Sequence, residues 1–151
     1  MPVNAFVIHA AQPVVADTGL GLPDRDFLAF VAEVIDLADV AWISLTHPDR
    51  DHTGGLFALL DAAPQARVIT MFLGAGITST ERPLPMNRIH LLNPGQFLDA
   101  GDRRLTGFRP SLDGQLQGPW ALLGQRCPST AATSSRRLRT PNLSNAAVRC
   151  S

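Results

Sequence analysis

Thr46-His47-Pro48-Asp49-Arg50-Asp51-His52-Thr53-Gly54-Gly55 offers two imidazoles and two carboxylates at positions 47, 49, 51 and 52. These are the donors that Zn²⁺, Fe²⁺ and Mn²⁺ accept. The alternating spacing of 47, 49 and 51 predicts neighbouring side chains along an extended turn, with His52 facing a second direction. Gly54 and Gly55 let the backbone turn into a following helix. In the structural alternative, His47 merely ends a strand and Asp51 caps a helix. Four potential ligands packed so closely weigh against it. A calcium loop fits poorly, because its ligand ladder ends in a glutamate that does not follow Gly55 at the needed distance.

Working outward, residues 40–45 are apolar and β-prone, so the ligand loop leaves the end of a buried strand, a rigid base for a site. Leu56, Phe57, Leu59 and Leu60 start a short helix that Pro64 closes. Residues 3–8 and 14–16 read as two strands joined around Gln12-Pro13, followed by the turn Asp17-Thr18-Gly19-Leu20-Gly21. Pro23 and Asp24 mark a helix start, and Phe27, Leu28, Phe30, Val31, Val34, Ile35 and Ala38 follow at helical spacing. Strands are expected at 67–72, 88–92 and 103–108, a loop at 74–85 and a turn at Asn93-Pro94-Gly95. The order ββαβαβββ predicts an α/β layered fold with helices covering a sheet.

The 151 residues suit one domain. The zero net charge hides a split. Through Asp113 there are eight arginines against thirteen acids, a charge of −5; from Gly114 onward five arginines stand without an acid, a charge of +5. Residues 111–151 are rich in Ser, Thr, Pro, Arg and Ala and keep no period, so they read as a low-complexity, disordered basic tail after a domain spanning 1–110. The run Arg136-Arg137-Leu138-Arg139 is short and lacks aromatic interleaving, so no nucleic acid is expected. No run of about 18 apolar residues predicts a membrane span. The first residues lack a basic leader, and Cys127 and Cys150 have no metal spacing; a cytoplasmic location without a disulfide is expected.

The ligand stretch resembles the His-x-[His/Asp/Glu]-x-Asp-His-x-Gly motif of the metallo-β-lactamase superfamily. Asn4-Ala5-Phe6 and Asp17-Thr18-Gly19 resemble that family's early strand and turn, and Pro94-Gly95-Gln96 and Asp102-Arg103-Arg104-Leu105 its later strands. The resemblance spans residues 3–110 and implies the first half of an αββα sandwich holding two divalent metals, iron or zinc. It implies that His47 and Asp49 hold one metal and Asp51 and His52 the other. It makes Asp51 the catalytic group that orients a metal-bound water in hydrolases, and has Asp17 support the loop by hydrogen bonds. Most hydrolases of the fold carry His where this chain has Asp49. A carboxylate there resembles the flavodiiron, oxygen-binding di-iron branch and favours iron or manganese.

The family takes further ligands downstream. His90 comes too early and reads as a strand-face histidine, His9 reads as structural, and Asp113 is the one substitute near the third-ligand position. The change of composition near Pro110 suggests a chain shortened or frame-shifted there, which the other two reading frames of the coding DNA would test. Two functions follow: a metal-dependent hydrolase or a di-iron protein acting on oxygen or nitric oxide, or an inactive fragment lacking the downstream ligands. The expected partners are a small molecule or diatomic gas, and a second copy paired through an open sheet edge.

Overall fold

A computed structural model of the chain describes residues 3–22, 26–108, 121–126 and 147–150. β1 (Val3–Ile8) turns back antiparallel onto β2 (Val14–Ala16), with Val7 opposite Val15. β3 (Trp42–Ser44), β4 (Arg67–Thr70) and β5 (Ile89–Leu91) then join in parallel, Ile43 lying between Val15 and Val68. The strand order is β5-β4-β3-β2-β1-β9, where β9 is Ala147–Cys150. A smaller antiparallel sheet runs β6-β7-β8, from Phe97–Asp99, Arg103–Phe108 and Ala121–Arg126.

Both faces of the larger sheet are covered, which is why its central strands are apolar without alternation. Val15, Ile43 and Val68 belong to one core with Phe27, Val31, Leu56, Leu59 and Leu60 from the helices. Their neighbours Val14, Trp42 and Ile69 point the other way, onto Leu98 and Leu105 of the smaller sheet and Ala100 of the connection between its first two strands. The layers are therefore helices, sheet, sheet. α3 (Leu56–Ala62) is too short to persist alone. Leu56, Leu59 and Leu60 hold it down, each contributing about 1.5–3 kcal/mol of burial. Its C-terminal end is closed from outside the helix: the Arg88 guanidinium donates to the carbonyls of Leu60, Ala63 and Ala66 at 2.7–3.1 Å.

Several elements differ from the sequence expectation. α1 is only Phe27–Ala32, capped by Asp26, whose carboxylate accepts from Ala29 N; residues 23–25, where its start was expected, lie outside the described residues. The expected continuation breaks because Asp36 caps a separate 3₁₀ turn, Leu37–Asp39. The first half of the loop expected at 74–85 is instead helical, part of α4 (Phe72–Ser79). The stretch's Ser/Thr cluster and two prolines suggested a loop, but the prolines lie beyond the helix, and Gly74 permits close packing: a Cβ there would lie 2.5 Å from Thr70 Oγ1. β6 was missed because it buries a single residue, Leu98, between exposed Phe97 and Asp99.

Two further strands occur after Phe108, where the sequence gives no period. β8 pairs with β7, Ala121 opposite Phe108, and β9 pairs with β1, Cys150 opposite Val3. The rest of the expected tail lies outside the described residues. Among the described residues no helix is long and apolar enough to cross a membrane.

Candidate metal centre

The ligand stretch begins where β3 ends and meets the turn that follows β2. These strands are parallel neighbours, so both C-terminal ends arrive at one rim. The expected extended turn is instead mostly helical: Arg50–Thr53 forms α2, whose first carbonyl, that of Asp49, accepts from His52 N, Thr53 N and Thr53 Oγ1. Asp49 ends the extended part, so its carboxylate is free to turn back toward His47.

The turn at 17–22 is fastened to the motif from the opposite side. Thr18 N and Thr18 Oγ1 both donate to the His52 carbonyl, at 2.8 and 2.9 Å. Gly54 N donates to Gly19 O and Gly55 N to Thr18 O. The two segments touch backbone to backbone. A Cβ on Gly54 would sit 2.2 Å from the Leu20 carbonyl carbon, and one on Gly21 2.6 Å from Gly54 O. Gly21 also holds φ +64°, a conformation that glycine adopts without strain.

Asp17 is the hub of this contact. It is buried and sits at φ 58°, an unusual backbone for a residue with a side chain. One carboxylate oxygen accepts from Thr46 N at 2.8 Å. The other accepts from Thr46 Oγ1 at 2.6 Å and faces His52 Nδ1 at 3.0 Å. A carboxylate only accepts, so the shared hydrogen belongs on Nδ1 and Nε2 keeps its lone pair. The His52 pKa is raised chiefly by this hydrogen bond, with the charges of Asp17, Asp51 and Asp49 adding to it and burial opposing.

The four candidate ligands come together as two pairs. His47 Nδ1 stands 3.2 Å from Asp49 Oδ2, and His52 Nε2 stands 3.6 Å from Asp51 Oδ2. The two imidazole rings lie side by side, centroids 5.8 Å apart. Two donors on one cation, each at about 2.1 Å, stand roughly 3.0–3.4 Å apart. Both pairs suit a divalent metal in donor type; the His47/Asp49 spacing falls within that range and the His52/Asp51 spacing lies beyond it. Each supplies two donors only, and among the described residues no three His, Cys, Asp or Glu side chains converge on one point.

The other named candidates lie elsewhere. His90 is in β5, edge-on to Trp42 with centroids 5.4 Å apart; burial and the Arg67 charge lower its pKa. His9 follows β1 on the exposed surface. Asp113 lies outside the described residues. Thr46 and Thr18, whose hydroxyls help to fasten the centre, had no role in the sequence reading. The one cue was their adjacency to His47 and Asp17.

The family description "Metallo-beta-lactamase superfamily" matches residues 1–106. A flavo-diiron protein, FprA2, of Clostridium acetobutylicum is 32% identical over 105 residues, covering 70% of this chain and 26% of the relative. An anaerobic nitric oxide reductase flavorubredoxin of Klebsiella pneumoniae is 26% identical over 105 residues, 70% of this chain and 22% of the relative. Rubredoxin oxygen:oxidoreductase of Desulfovibrio gigas superposes with TM-score 0.67 at 21% identity, over 81% of this chain and 30% of that one. A Thermotoga maritima flavoprotein gives TM-score 0.69 at 16% identity, over 80% and 30%. The structural matches carry the fold alone, and the chain spans about a quarter of the length of these curated relatives.

Proposed function

Because the chain belongs to the metallo-β-lactamase superfamily, we propose that it supplies the first ligand loop of a di-iron redox centre of the flavodiiron kind. The observation that carries this is the pairing of His47 with Asp49 beside that of His52 with Asp51. A carboxylate at position 49 shifts the donor set toward oxygen and so toward iron. The relatives whose names mention di-iron, oxygen or nitric oxide chemistry support the same choice.

In this proposal His47 and Asp49 hold one cation, and Asp51 and His52 the other. Bound iron would supply the one-electron chemistry that reduction of oxygen or nitric oxide requires. Asp17 keeps the proton on His52 Nδ1, so that Nε2 remains a donor, and Thr46 keeps Asp17 in place. Were zinc the resident metal, the same loop would serve a hydrolase, with Asp51 orienting the attacking water.

A second reading, an inactive member lacking further ligands, draws support from the absence of a three-donor cluster among the described residues. Metal analysis of the chain, purified from iron- and zinc-supplemented cultures beside His47→Ala, tests both. About one equivalent of iron or more, reduced in the variant, supports the redox reading, and zinc in its place supports the hydrolase. Less than about 0.1 equivalent of any metal decides for the inactive member.

A further inference from the structure

The smaller sheet buries one face and leaves the other in solvent. Leu98 and Leu105 point to the larger sheet, so Phe97, Asp99, Arg104, Thr106 and Phe108 share the opposite face of β6 and β7. Two large rings stand open there, Phe97 53% and Phe108 41% exposed. An exposed ring is ordinary by itself, and the charges beside these rings carry the argument further. Asp99 lies directly opposite Arg104 in the register, where unlike charges on antiparallel strands attract. Among the described residues neither enters an ion pair. The Arg104 guanidinium lies instead over the Phe97 ring, 4.1 Å from its centroid, and Asp99 Oδ1 accepts from Gly101 N at 2.8 Å. Both charges are held at the surface, each with hydrogen-bonding capacity left for a group from outside.

Exchanging β6 with β7 exchanges these two charges. A two-fold axis parallel to the strands and passing between them makes that exchange. It sets Asp99 of each copy against Arg104 of the other and seats each Phe97 on the other copy's Thr106. Packed sheets lie about 10 Å apart, a gap that an arginine and an aspartate span together. Pairing edge to edge offers less, because the edge strands β5 and β6 are three residues long and short edges limit the ladder.

We propose that the outer face of β6 and β7 is an interface with a second copy of this chain, packed face to face about this axis. The inference is independent of the metal-binding reading. The sheet offers a face of roughly 15 by 20 Å, well under the roughly 800 Å² per partner of a tight interface. The dimer is therefore weak, with a Kd of about 10–100 µM.

Sedimentation velocity of the full chain from about 5 to about 500 µM should show monomer passing into dimer. Arg104→Glu and Asp99→Arg each set like charges together, and each should weaken self-association about 10-fold or more. Mixed in equal amounts they restore both opposite pairs, so the mixture should dimerise as wild type does. Circular dichroism checks that each variant folds. Should Asp99→Arg unfold for want of its bond to Gly101, Phe97→Ser decides in its place, with a loss of about 10-fold or more expected. A monomer at the highest concentration overturns the proposal and leaves the face to another segment of this chain or to a different protein. A dimer that the variants do not disturb overturns it, as do folded charge variants that fail to recover on mixing. Growth beyond the dimer overturns it too, because a two-fold contact closes on itself.

Discussion

Replacing Gly54 with alanine should loosen the whole centre. The added Cβ would stand 2.2 Å from the Leu20 carbonyl carbon, 2.3 Å from Gly21 N and 2.5 Å from Leu20 O. All three are backbone atoms, so no side chain can swing away. The 17–22 turn must move off the motif. Overpacking of this kind costs about 1–3 kcal/mol. The shift also strains the bonds Gly54 N to Gly19 O and Gly55 N to Thr18 O, each contributing about 1 kcal/mol. The expected loss is roughly 3–5 kcal/mol, a large part of the 5–15 kcal/mol of a whole domain. Urea denaturation measures it, with the His52 ring signals reporting separation from Asp17. Gly76 gives the control. It lies within α4 with nothing near its Cβ position, so Gly76→Ala should stabilise by up to about 1 kcal/mol through helix propensity. A Gly54→Ala loss below about 1 kcal/mol with an unmoved His52 would refute the argument that this backbone contact holds the ligand loop.

Arg88→Ala removes the guanidinium that closes α3 through Leu60, Ala63 and Ala66; it should destabilise by about 2–3 kcal/mol in the same assay, with Arg88→Lys recovering only part. The Asp102 carboxyl is held down to about 2, first by Arg103 and then by the Ala11 amide. A depressed carboxyl stabilises the fold above its unfolded value near 4 and loses that contribution as pH falls toward the folded value. Denaturation midpoints from pH 5 to pH 2 should therefore fall more steeply in wild type than in Asp102→Asn. The difference should stay within about 1 kcal/mol because the carboxylate is 46% exposed and screened. His52 has the opposite sign: its pKa is raised, chiefly by Asp17, so in metal-free protein its contribution is complete below the ordinary imidazole range and fades as pH rises through the folded value. Asp17→Asn should flatten that alkaline decline in a melting-temperature series.

Much of the scaffold is legible because its signals are local. β1 and β2 fall where apolar runs place them, and the strands at 42–44, 67–70 and 89–91 lie inside the expected stretches. α4 and β6 were not legible. In α4 the Ser/Thr cluster and the prolines at 83 and 85 read as a loop, while Gly74 is what lets the helix sit against Thr70. In β6 one buried leucine is too short an alternation to register as a strand. β8 and β9 owe their pairing to β7 and β1, strands whose free edges a composition cannot reveal.

For the centre the same division holds. The sequence by itself determined which side chains are present, that imidazoles and carboxylates crowd one short stretch, and that this stretch leaves a buried strand. Only the tertiary structure decided how they pair: His47 with Asp49, His52 with Asp51, and Asp17 behind the His52 ring. Asp17 and His52 are 35 residues apart. Their contact arises because β2 and β3 are parallel neighbours and because Gly21 and Gly54 let two backbones touch. Hydrogen bonds between distant segments depend on strand register and close approach, and neither leaves a periodic mark in the chain.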